Sequence, residues 1–154
     1  MPDKLPTNPL LSANRLQDEL REGALFYLLF GRNGAGKTDI AHAIVDNLGE
    51  AKAYLDKPEN GLHPTSQAKL MESLWHKGRK SREPILIETH SEHMLEMLLN
   101  LMEVEEDTDK LVVIYYVWRD REDITRIRRV ETKNGQLLDP INTDFSDNPT
   151  LSII

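Results

Sequence analysis

Gly31-Arg32-Asn33-Gly34-Ala35-Gly36-Lys37-Thr38 packs three glycines, a lysine and a threonine into eight residues, in the pattern GxxxxGKT. Glycines let a backbone curl until its N–H groups converge on phosphate oxygens, and a helix starting there adds the positive end of its dipole. Asn33, Gly34, Ala35 and Gly36 would form the cradle. Lys37 would reach the β- and γ-phosphates of a nucleoside triphosphate such as ATP, and the Thr38 hydroxyl would hold Mg2+. Two further stretches carry chemistry: Leu55-Asp56-Lys57-Pro58-Glu59-Asn60-Gly61-Leu62-His63-Pro64, and Ile85-Leu86-Ile87-Glu88-Thr89-His90-Ser91-Glu92-His93. Asp56 ends a short apolar run, from which a carboxylate reaches the Mg2+ shell through water. His90 closes the next such run, where an imidazole could touch a γ-phosphate.

These groups need elements to position them. Leu25 to Phe30 is a continuous apolar run, the signature of a strand buried on both faces. The glycine-rich loop follows at once, and a helix is expected from Lys37 to Leu48, stopped by Gly49. Ala51 to Asp56 is a weaker strand, interrupted by Lys52. Pro64 opens a helix carrying Leu70, Leu74 and Trp75 to about Lys77, with Gly78 to Glu83 as a polar loop. Ile85 to Glu88 is a third strand, and Ser91 caps a helix with Met94, Leu95, Leu98, Leu99 and Met102 on its apolar face. Glu103 to Asp109 is a solvated acidic connection. Leu111 to Trp118 is the strongest strand, rich in β-branched and aromatic residues. A turn over Asp120 to Asp123 joins it to Ile124 to Val130, and Asn134-Gly135 is a second turn signal. Residues 1–10 form an extended lead-in, Ser12 to Glu22 a helix, and residues 139–154 a polar tail. The order strand–helix–strand–helix–strand–helix and then a hairpin implies an α/β fold of three layers with a mainly parallel sheet and a C-terminal β-hairpin. A lead-in and helix over 1–24, a nucleotide-binding core over 25–138 and a tail over 139–154 are the expected divisions.

The chain has 154 residues, enough for one domain with a real core, and a net charge of −7. That balance argues against a nucleic-acid partner, which demands clustered Lys and Arg; the Arg126, Arg128 and Arg129 set reads as a solvated strand. Cysteine is absent, which excludes disulfides and fits a cytoplasmic setting. Met1 to Pro6 lacks the apolar core of a signal peptide, and no apolar run spans a bilayer. His63, His90 and His93 lack the cysteine partners of the common zinc sites and are not expected to hold a metal of their own. Trp75 and Leu74 read as helix–sheet packing, Tyr116 and Trp118 as core or rim.

The Asp56–Pro64 and Ile87–Leu95 wording resembles the Walker B, D-loop and H-loop region of ABC-type ATPases, in the OLD-nuclease and RecF-like branch. Residues 111–147 resemble the end of some of those proteins more loosely. The resemblance implies a P-loop NTPase-like fold with ATP and Mg2+ as ligands. It makes Asp56 the Walker B acid, Gly61 to Pro64 the D-loop region and His90 the switch histidine. The family's hydrolytic carboxylate would fall on Lys57, which is no base near neutral pH; Glu59 is the candidate substitute, with Glu88 as another. Between Thr38 and Asp56 there is room for little more than one helix and one strand, so the glutamine loop and signature motif that relatives carry there are missing. A reduced ATPase with weak hydrolysis, working as a homodimer, is one expectation. A non-hydrolysing nucleotide-binding or protein-interaction module is the other. The abrupt junction at Gly49 to Lys52 also fits deletion of a helical lobe from a longer ATPase.

Overall fold

The computed structural model describes residues 24–47 and 53–138. Expectations for the lead-in, the Ser12–Glu22 helix, the Gly49–Lys52 junction and the 139–154 tail lie outside the described residues.

Strand β1 (Phe26–Phe30) is the centre of the sheet, and every one of its residues is buried. It pairs in parallel with β3 (Ile85–Thr89) on one side and β4 (Val112–Arg119) on the other. Strand β2 (Ala53–Asp56) adds in parallel outside β3, and β5 (Thr125–Val130) adds antiparallel outside β4, giving the order β2-β3-β1-β4-β5. An unbroken apolar run is what such a doubly covered strand needs. Phe26, Leu28 and Phe30 point into one core, with Met71 and Trp75 of α2 (Pro64–Ser81) and Met94, Leu95 and Leu98 of α3 (Glu92–Val104). Tyr27 and Leu29 point the other way, to Ile40 and Ala41 of α1 (Lys37–Asn47). The fold is therefore α/β with helices on both faces of a mainly parallel sheet. The carboxyl ends of β1, β2 and β3 share one edge, the place where open parallel sheets bind ligands.

Two stretches differ from their expected form. Helix α2 runs to Ser81 instead of ending near Lys77. Gly78 is buried inside it, where an added Cβ would lie 2.7 Å from the Phe26 ring. The glycine thus lets helix and strand approach closely, and the helix stops only where Arg82 turns left-handed at φ 59°. The acidic stretch is not wholly solvated. Helix α3 extends to Val104, Glu105 accepts from Trp75 Nε1 at 2.8 Å, and both Asp109 oxygens accept from the Asn134 amide at 3.0 Å. Asp109 also opens a short 3-10 turn, Asp109–Leu111. Ser91 caps α3 as expected, its hydroxyl accepting from Met94 N at 3.1 Å.

The β4–β5 hairpin forms as expected and turns on Asp120. One carboxylate oxygen accepts from the amides of Glu122 and Ile124 at 2.9 and 3.0 Å, and the other from Arg126 Nε at 2.8 Å. Burial works to raise this carboxyl, but the two amides and the Arg126 guanidinium outweigh it and hold it below the usual aspartate range. A depressed carboxylate stabilises the fold above its unfolded pKa and loses that contribution as pH falls through the folded value. Asp120→Asn should therefore cost about 1–2 kcal/mol near neutral pH, a deficit that shrinks below roughly pH 4. Urea unfolding of both proteins at pH 7 and pH 3 measures it. A second, two-stranded ribbon, β6 (Thr132–Lys133) with β7 (Gln136–Leu137), closes on Asn134 and Gly135 at φ 52° and 78°. Both residues are left-handed, as a tight hairpin turn requires.

Candidate functional site

The loop after β1 is built by its glycines. Gly31 sits so close to β4 that a Cβ there would lie 2.2 Å from the Val117 carbonyl oxygen. Gly34 and Gly36 turn left-handed at φ 85° and 101°, a region costly to other residues. A Cβ on Gly36 would also lie 2.5 Å from Thr125 Oγ1. The hairpin braces this curl. Thr125 Oγ1 donates to the Ala35 carbonyl at 3.0 Å, and Arg119 Nε donates to the Gly34 carbonyl at 2.9 Å. Neither brace is legible in the motif, because both come from the β4–β5 hairpin, far along the chain from the loop.

Helix α1 begins inside the loop, so Lys37 and Thr38 stand at its N-terminus. Lys37 is buried at 3% exposure and folds back on the loop, donating to the Gly31 carbonyl and, at 2.8 Å, to that of Arg32. Burial pulls its pKa down to about 8; Glu88 is the strongest of the carboxylates acting against that fall. An ammonium held by loop carbonyls in a dry setting gains most from an anion, because neutral carbonyls compensate its charge poorly.

Thr38 Oγ1 donates to Glu88, 3.0 and 3.3 Å from its two oxygens, and not to Asp56. Glu88 is 2% exposed and also accepts from Tyr54 OH at 2.6 Å. Burial, and after it this bond to Glu88, drives the Tyr54 phenol far above its ordinary value. Asp56 is the Glu88 partner in the β2–β3 register, one strand farther from the loop. Its side chain is half exposed, and its oxygen lies 3.5 Å from Lys57 Nζ.

Glu59 and His90 form a second pair. Glu59 is 2% exposed; one oxygen lies 2.8 Å from His90 Nδ1 and accepts the His90 backbone N–H at 3.1 Å. Its other oxygen is buried and has no hydrogen-bond partner among the described residues. The imidazole remains 36% exposed, so Nε2 is the nitrogen left to face a ligand.

Asn33, Gly34, Gly36, Lys37, Thr38 and Asp39 line a cavity of about 220 Å³, which Lys57, Glu88 and Arg119 complete. The Lys57 backbone is left-handed at φ 49°, and its N–H donates to the Glu88 carbonyl at 2.8 Å. That arrangement turns the chain out of β2, so the lysine read from the sequence as a missing base contributes a cation to the cavity. Among the described residues no group of three or more His, Cys, Asp or Glu side chains converges as a metal site. A magnesium ion in a phosphate loop needs less than that. One hydroxyl and one or two carboxylates suffice when phosphates and water supply the other oxygens. Thr38 and Glu88 are hard-oxygen donors of that type on the cavity wall; Asp56, one strand away and outside the lining, would reach such an ion through water.

Among the described residues no helix is long and apolar enough to cross a membrane. Searched against protein-family models and against curated proteins, the chain matches none of either.

Proposed function

We propose that this chain binds ATP with Mg2+ on the loop Gly31–Thr38, as a reduced ABC-type ATPase domain of P-loop NTPase-like fold that hydrolyses its ligand weakly. One observation carries this reading: a buried lysine and a threonine at a helix N-terminus close a left-handed glycine loop around a cavity of about 220 Å³. Loop amides would bind the phosphate oxygens, with the helix dipole adding to the attraction. Lys37 would exchange its loop carbonyls for phosphate oxygens. Thr38, Glu88 and Asp56 would hold the Mg2+, which when bound neutralises charge between the β- and γ-phosphates. His90, held beside Glu59 by its backbone N–H and by the 2.8 Å approach of Nδ1, would present Nε2 toward the γ-phosphate. Glu59 then serves as a positioning residue for the imidazole.

Weak turnover follows from the carboxylates. Glu88 is engaged by Thr38 and Tyr54, Glu59 is enclosed against His90, and position 57 carries an ammonium. Both Glu88 oxygens are hydrogen-bonded and the unpartnered oxygen of Glu59 is buried, so neither carboxylate meets an attacking water. The Lys57 cation at the cavity favours the second reading, a module that holds nucleotide without hydrolysis and signals to a second copy or a protein partner. The net charge of −7 argues against nucleic acid as that partner, and the reading places the chain in the cytoplasm.

Lys57→Glu separates the two readings. A general base positioned at the γ-phosphate contributes about 10²–10⁴ in rate. In the weak-ATPase reading the variant should gain at least tenfold in turnover, measured as phosphate release under saturating ATP. A variant that still binds ATP with no gain assigns the chain to the non-hydrolysing class. Absence of ATP binding in both proteins removes the function altogether.

A further inference from the structure

The phosphate cavity, at about 220 Å³, is too small for a whole nucleotide. A second cavity of about 450 Å³ adjoins it and shares Asn33, Gly34 and Arg119 with it. Tyr116 and Trp118 line this larger space from β4. They are alternate residues of one strand, so both rings lie on one face, stacked with centroids 5.5 Å apart and planes 20° apart. Tyr116 is buried against the core, whereas Trp118 is only partly covered. Arg119 stands at the junction, holding the Gly34 carbonyl on one side and Asp123 on the other. Arg32 and Arg121 add positive charge to the wall. Asp120, the acidic residue of the lining, is already engaged by Arg126 and two amides.

A flat aromatic platform beside a phosphate cradle, walled by arginines, has the chemistry of a nucleobase site. We propose that the cavity between the loop and the β4–β5 turn is the nucleoside subsite, with the base stacked on Trp118 and the ribose near Arg119. The proposal rests on the reading of Gly31–Thr38 as a phosphate loop. Stacking is tolerant of base identity, because every base presents a π-face. The ligand class is therefore nucleoside triphosphates, with little discrimination between purines.

Inorganic tripolyphosphate separates this subsite from the loop itself. Base–aromatic stacking contributes roughly fivefold to a hundredfold in affinity. Wild-type protein should bind ATP at least about fivefold more tightly than tripolyphosphate, and ATP alone should quench Trp118 fluorescence. Trp118→Leu should remove the preference and leave tripolyphosphate affinity unchanged, while Trp118→Phe, which keeps a stacking face, should retain most of it. Circular dichroism of the variants checks that each is folded. Equal affinity for ATP and tripolyphosphate in the wild type, or a preference that survives in Trp118→Leu, would overturn the subsite and leave the loop reading standing. Failure of tripolyphosphate and ATP alike to bind would overturn both.

Discussion

Lys37→Ala should lower the affinity for ATP at least about a hundredfold, close to 3 kcal/mol, with the fold intact. The size of the effect follows from where the ammonium sits. It is buried within the loop, its hydrogen-bond acceptors are the neutral carbonyls of Gly31 and Arg32, and burial has already lowered its pKa to about 8. A phosphate arriving there meets a cation that water has largely ceased to screen. Lys57, at 30% exposure and beside Asp56, is better screened, so its removal should cost less. Stability should change little. The variant loses two hydrogen bonds but also a desolvated charge, and these act in opposite directions. Equilibrium titration of ATP into wild type and variant, beside thermal unfolding, checks both statements. Affinity retained in a folded Lys37→Ala protein would reject the loop as the phosphate site.

The largest stability effect is expected at Trp75, far from the loop. Trp75→Ala should cost about 3–5 kcal/mol, the range for emptying a large buried aromatic site. The indole is wholly buried and stacks on Phe26 of β1 with centroids 4.9 Å apart and planes 15° apart. Arg79 covers the ring at 5.4 Å, and Nε1 donates to Glu105. The indole N–H, and after it Arg79, holds the Glu105 carboxyl below its usual range. Trp75→Phe keeps the stacking and loses the N–H, so its cost should be nearer 1–2 kcal/mol. Urea unfolding of the three proteins measures the series. A loss under about 1 kcal/mol for Trp75→Ala would mean that α2 is held to the sheet by something other than this contact.

What the residues disclosed in advance divides by distance along the chain. The β1–loop–α1 unit is local: an apolar run, glycines at fixed offsets, then Lys37 and Thr38, in one unbroken stretch from Phe26. Such a unit is legible because each group's neighbours in space are its neighbours in sequence. The sheet order was less so. Parallel pairing of β3 between β2 and β1 puts Glu88, not Asp56, against Thr38, and no periodicity encodes which strand lies inside. Gly78 misled for a related reason. In a polar context it signals a helix end, yet here it marks the closest approach of α2 to Phe26. The braces from Arg119 and Thr125 and the pairing of Glu59 with His90 are tertiary contacts of the same type. In the Asp56–Pro64 stretch, Pro64 was legible as a helix start and Lys57 as a lysine where the resembling family has its carboxylate. That Lys57 turns left-handed and faces the phosphate cavity was visible only in the fold.

The central claim is occupancy of the Gly31–Thr38 loop by a triphosphate. Calorimetric titration of the wild-type chain with ATP, with and without Mg2+, tests it most directly. The expected result is saturable binding with one site per chain, tightened by Mg2+ through Thr38, Glu88 and Asp56. Absence of any binding heat or protection from thermal unfolding at millimolar ATP, with Mg2+ present, would contradict it.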